Sequence, residues 1–243
     1  MTGPDRAGYG TVDYLPIAVR AYVPLAKAER PRKPRPEPEP SEWVLIFDTE
    51  TSTDPAQRLR FGSFQLRKAG VLEKHGLFYD PSALTDREQR LLASFARSNG
   101  LELLTATEFV EGVFFKFGYE LRATIVGFNL PFDISRLAVR HGPARRRPMR
   151  GGFSLQLSEN RWLPRVQVKH LSRRASMIRF TAPRRQRTSR GMRKHTRVPV
   201  RRGFFVDVKT IGAALTSRSD TLASLAEFLD VPSRKMQTEE HAE

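Results

Sequence analysis

The order of segments along this chain predicts an α/β fold, a mixed sheet with helices on its faces. Three observations carry that expectation. Val44–Asp48, Ala123–Phe128 and Gly203–Val208 are near-continuous apolar runs, the pattern of strands buried on both faces. Stretches of helical periodicity lie between them. A third pattern, strict alternation of apolar and polar residues, marks further strands such as Arg60–Lys68.

The elements follow in order from about Ser41. Pro31 to Pro40 carries a proline at almost every second position, which removes amide donors and favours extended backbone, so residues 1–41 are an extension and a stiff linker. Tyr14 to Leu25 within it is apolar and has no assigned role. The first strand is Val44–Asp48. Arg60–Lys68 and Gly70–Tyr79 form a hairpin turned by Gly70. Thr85 followed by Glu88 is a capping box opening a helix over Asp86–Ser98, with Leu91, Leu92 and Phe95 on one face. Leu101–Leu104 is ambiguous. Thr105–Phe117 reads as a helix with Phe109, Val113 and Phe117 on one side, Ala123–Phe128 as a strand and Phe132–Arg140 as a helix. Arg165–His170 and Ser176–Phe180 alternate as an inserted hairpin, and Pro183–Arg202 has no periodicity. The strand Gly203–Val208 precedes helices over Lys209–Leu215 and Thr221–Leu229.

Composition excludes several classes. The 243 residues contain no cysteine, which rules out disulfides, zinc-thiolate sites and thiol nucleophiles. No run of about 18 apolar residues is present, so no membrane partner is expected. The start, Met1 to Arg6, lacks the basic and apolar regions of a signal peptide, and a cytoplasmic location is expected. The formal charge of +16 is local in origin. Arg140–Arg202 holds twenty Lys and Arg against one acid, Glu159, so the rest of the chain is slightly acidic. A block of that kind inside a fold competes for polyanions, of which nucleic acid is the commonest.

The acids are placed for chemistry on such a partner. Asp48 and Glu50 lie one residue apart at the end of an apolar strand, where alternate side chains share a face. Asp133 starts a helix after Val126-Gly127-Phe128-Asn129. Alone, Asp133 is a first-turn acid favoured by the helix dipole and Asn129 a cap or turn residue. Hard cations take oxygen ligands, and three convergent carboxylates suit Mg²⁺ or Mn²⁺ acting on phosphate esters.

These residues resemble a known family. Asp48-Thr49-Glu50 is similar to the first motif of the DnaQ-like 3′–5′ exonucleases, and Asn129-Leu130-Pro131-Phe132-Asp133 to the second. Phe205-Val206-Asp207-Val208-Lys209-Thr210, with Leu215 and Ser224-Leu225, resembles the strand and helices that follow there. The basic insert resembles that of family B DNA polymerases. The resemblance covers about residues 42–235. It implies an RNase H-like mixed β-sheet flanked by helices, with a basic inserted hairpin or loop over about 144–202. It further implies a two-metal site of Mg²⁺ or Mn²⁺ at Asp48, Glu50 and Asp133, acting on a single-stranded DNA 3′ end. Thr49, Thr51, Asn129 and Phe132 would lie near the terminal nucleotides, and Arg173, Arg174, Arg184, Arg185 and Arg187 would grip the backbone. The family closes its site with a further aspartate preceded by tyrosine or histidine on a later helix. That pair is not found. Asp220 and Asp230 fall at helix caps and ends, and Asp207 reads as a structural acid. The chain is therefore expected to be a fragment of a longer protein, with a polymerase domain downstream as a partner in the full-length chain. The other reading is a non-catalytic nucleic-acid-binding module.

Overall fold

The computed structural model describes residues 39–172, 175–181 and 203–231. The chain divides into two units, Met1–Glu37 and Pro38–Glu243, and the described residues all belong to the second. Expectations for Tyr14–Leu25, for most of the proline-rich linker, for Pro183–Arg202 and for Arg173, Arg174, Arg184, Arg185 and Arg187 fall outside them.

The α/β architecture read from the sequence is the one observed. The elements are β1 (Trp43–Thr51), β2 (Leu59–Lys68), β3 (Val71–Tyr79), α1 (Asp86–Ser98), β4 (Glu102–Thr105) and α2 (Ala106–Glu108). A π-helix (Phe109–Glu120), β5 (Thr124–Gly127), α3 (Leu130–Arg136), β6 (Arg140–Pro143), β7 (Phe153–Gln156), β8 (Val166–His170) and β9 (Ser176–Phe180) follow. β10 (Phe204–Asp207), α4 (Val208–Thr216) and α5 (Leu222–Phe228) come last.

Six strands make the main sheet in the order β10-β5-β1-β2-β3-β4. β1, β2 and β3 are antiparallel neighbours, and the β2–β3 turn places Ala69 and Gly70 at positive φ, the geometry a two-residue hairpin needs. β5 runs parallel to β1, and β10 parallel to β5. The C-terminal ends of β1, β5 and β10 therefore lie along one edge, where Asp48 and Glu50 lie on β1 and Asp133 follows β5.

Leu45, Phe47 and Thr49 point to the buried face of β1, where the π-helix supplies Phe109, Phe114 and Phe115. Phe109 stacks on Phe78 with ring centroids 4.0 Å apart, and Phe47 meets Phe114 edge-on at 5.9 Å. The helix expected from Thr105 begins there with a capping box between Thr105 and Glu108, then widens, as the bond from Leu121 N–H to the Lys116 carbonyl five residues back illustrates. The wider turn buries seven of its residues, more than the single Phe109-Val113-Phe117 stripe anticipates.

Further expectations change. The helix expected over Phe132–Arg140 is Leu130–Arg136, and Arg140 begins β6 instead. α1 keeps its capping box, but Leu91 and Phe95 remain 61% and 47% exposed, and only Ala96 is buried. The hairpin in the basic segment exists as β8–β9, yet it is extended by β6 and β7 into a four-stranded antiparallel sheet. Leu155, Leu157, Val166, Val168 and Phe180 of that sheet join the main core, so the segment as far as Phe180 is built into the domain.

Candidate active site

β1 ends in a bulge between Glu50 and Thr51, one step beyond the residues that matter. Bulges re-aim side chains at strand ends. Alternation splits this end of the strand between two faces. Asp48 and Glu50 share the exposed face, as the spacing predicts, and Thr49 lies on the buried one.

Asp133 reaches β1 from α3. Gly127 permits the approach, because a Cβ there would stand 2.6 Å from Leu130 and 3.0 Å from the Phe47 carbonyl. Asn129 then turns the chain at φ 72, a left-handed conformation that asparagine tolerates better than most residues. Its side chain makes no cap hydrogen bond, so its contribution at this turn is conformational. The Asn129 carbonyl accepts from Phe132 N–H at 2.8 Å, starting the helix that carries Asp133.

Asp133 is 2% exposed. Its Oδ1 accepts the Thr49 hydroxyl at 2.7 Å, and its Oδ2, equally buried, has no hydrogen-bond partner. Burial is the main reason its carboxyl is pushed up to about 7; the Thr49 bond opposes the rise, and the charges of Asp48 and Asp207 add to it. Asp48 is open to solvent on one side, yet the protein around it still raises its carboxyl, against the Thr49 N–H, which lowers it. Burial raises Glu50 as well, and neighbouring Asp48 contributes. Three carboxyl groups thus meet at one sheet edge, each held above its ordinary range chiefly by burial.

Asp207, at the end of β10, holds this corner together. Its Oδ1 accepts the backbone N–H groups of Asn129 at 2.8 Å and Leu130 at 3.1 Å, and its Oδ2 accepts the Thr210 hydroxyl. The start of α3 is thus tied to β10 by a buried acid. Nothing near Asp207 in sequence signals this, since its partners lie 78 and 77 residues away.

The other expected residues are distributed as follows. Thr51 pairs with Leu59 at the bulge. Phe132 is half-buried, with the Arg136 guanidinium 4.7 Å from its ring centre, and Arg136 also donates to the Gln57 carbonyl at 2.8 Å. Thr49, expected beside a substrate end, has its hydroxyl committed to Asp133. Asp220 sits ahead of the α5 cap, accepting from Ser224 and paired with Arg218.

The exposed face of β1 looks into a groove of about 350 Å³ along the sheet, with Asp48, Ser63, Gln65, His75, Phe128 and Leu222 in its lining. As to a metal, the donor chemistry fits: hard oxygen ligands and one buried carboxylate oxygen lacking any partner. The side chains are not drawn into a finished cage, for among the described residues no three acidic or imidazole groups cluster closely enough to hold an ion. No helix among them is long and apolar enough to cross a membrane. No protein-family model matches the chain, and no curated protein matches it.

Proposed function

We propose that the domain is an RNase H-like, DnaQ-like phosphodiester hydrolase that removes nucleotides from the 3′ end of single-stranded DNA with Mg²⁺ or Mn²⁺. One observation carries the reading: Asp133 is buried, raised to about 7, and keeps an unsatisfied oxygen next to the Asp48 charge at the ends of parallel strands. Ligands of open α/β sheets bind at such strand ends. A buried carboxylate left without a donor costs stability, and a cation relieves that cost.

Asp48, Glu50 and Asp133 would be the oxygen ligands. A divalent cation bound there supplies charge to stabilise the leaving oxygen and lowers the pKa of a bound water. The chain's own residues do the rest. Thr49 fixes the Asp133 carboxyl by its hydroxyl, and Asp207 fixes the backbone that carries it. The groove beside Asp48, with apolar lining and the Phe128 ring, offers a seat for a terminal base. The basic stretch Arg140–Arg202 attracts the backbone.

The test uses 3′- and 5′-labelled single strands with the full chain. Stepwise loss from the 3′ end that needs divalent metal and disappears in Asp48→Ala supports the assignment. Cleavage indifferent to chelator or to Asp48→Ala contradicts it.

A second reading rests on the unfinished ligand cluster. A non-catalytic module of a replication or repair protein would bind nucleic acid with a steep salt dependence, unaffected by Asp133→Ala.

A further inference from the structure

Away from the acidic corner, the second sheet bounds a pocket of about 480 Å³ whose lining includes Arg146, Arg161, Arg165, Gln156, Asn160 and Thr181. That volume is in the range of ligand sites. Among the described residues no carboxylate lines it. Among the described residues none of the three arginines is in an ion pair. Glu159, beside Asn160 in the chain, pairs with Arg140, and Glu111 on the π-helix accepts the Ser158 hydroxyl.

The pocket is built, and more than a chance gathering of surface charge. Arg165 is half-buried; its Nη2 donates to Gln156 Oε1 at 2.8 Å, and its backbone N–H donates to Thr181 Oγ1 at 2.9 Å. Asn160 is held by its N–H to Ser158 Oγ at 2.9 Å, and its Oδ1 accepts from Trp162 N–H at 3.1 Å. That turn presents Arg161, whose guanidinium lies 4.8 Å from the Trp162 ring centre, and the ring itself is 41% exposed. Three guanidinium groups with no counter-ion among the described residues, beside amide and hydroxyl groups, match the oxygens of phosphate. The partly exposed indole beside them, under the Arg161 guanidinium, matches an unpaired base on its exposed portion.

We infer that this pocket is a second nucleic-acid site, in which Arg146, Arg161 and Arg165 hold backbone phosphate of a single strand and Trp162 stacks on a base. The inference rests on nucleic acid being the partner of the domain. It places the grip on described residues outside the arginines expected from the sequence. It also gives the strand a hold that does not depend on the acidic corner.

Binding of a fluorescent oligothymidylate to the full chain, in chelator so that nothing is hydrolysed, tests this. The expected result is about a tenfold loss of affinity in the triple variant Arg146→Ala, Arg161→Ala, Arg165→Ala. The slope of log K against log salt should fall by about two, at about 0.7 per phosphate contact on single strands. The pair Arg146→Ala, Arg161→Ala, both exposed, should show most of the loss if the triple variant is unfolded in a thermal melt. A control removes equal charge from α1 by Arg87→Ala, Arg90→Ala and Arg97→Ala. Equal weakening in control and pocket variants would mean general charge alone and would overturn the site. So would pocket-dependent binding of pyrophosphate together with oligonucleotide binding that ignores the pocket. Chelator keeps the two claims apart: failure here leaves the nuclease assignment untouched, and arginine-dependent binding by an inactive protein sinks only that assignment.

Discussion

Asp133 is where local strain in the electrostatics is concentrated, and its neighbours define what substitutions should do. Its carboxyl is raised from an ordinary value of 3.8 to about 7 chiefly by burial. A raised carboxyl binds its proton more tightly folded than unfolded, so its stabilising share is complete below about pH 4 and is lost as pH rises through about 7. The slope is at most about 1.4 kcal/mol per pH unit. Asp133→Asn should therefore be nearly neutral at pH 4 and increasingly stabilising towards pH 8 without metal, as read by denaturant melts. A variant whose advantage is the same at both pH values would show that the group does not titrate as described. At Asp207 a substitution acts through hydrogen bonds instead. Asp207→Ala strands two backbone N–H groups and should cost about 3 kcal/mol, while Asp207→Asn keeps an acceptor and should recover half or more. Equal loss in both variants would place the effect outside those hydrogen bonds. The Asp48 and Glu50 pair was legible because strand alternation is local. The Thr49–Asp133 bond spans 84 residues and the Asp207 clamp 78, and no local pattern encodes either.

Among the elements, legibility followed the strength of local signals. Thr85 with Glu88 announces α1 through a capping box whose two halves are three residues apart, and both halves form. Alternation located β2, β8 and β9 within a residue or so. β6 left no trace, since Arg140-His141-Gly142-Pro143 shows no period and contains poor strand formers, while β7, Phe153-Ser154-Leu155-Gln156, alternates over only four residues. The wide turn of the π-helix was equally silent. Its residues Phe109, Val113 and Phe117 fit a 3.6 period, and only packing on Phe47, Phe64 and Phe78 distinguishes the outcome. Phe109, fully buried among those three rings, is the anchor of that packing. Phe109→Ala should lose about 3–5 kcal/mol. Phe95→Ala on the exposed face of α1 should lose well under 1 kcal/mol, and comparable losses in the two would contradict the arrangement of the π-helix over the sheet.

At the scale of the molecule, charge and sheet order act together. The strand order brings three C-terminal ends to one edge, and that edge carries Asp48, Glu50, Asp133 and Asp207. The strongly basic stretch follows α3 closely in sequence, so the acids and the excess of basic residues belong to one unit. The α/β class and the acidic edge could be read from the sequence, whereas the second sheet's share in the core could not, because its charged residues mask a thin apolar face. The central claim is that Asp48, Glu50 and Asp133 together hold a divalent cation. Mn²⁺ titration of the full chain at pH 8, followed by water proton relaxation, measures that directly. Saturable binding that is lost in Asp133→Asn and in Asp48→Asn is the predicted result. Binding of the same strength in both variants and the unaltered chain, or no saturable binding in any, would contradict it.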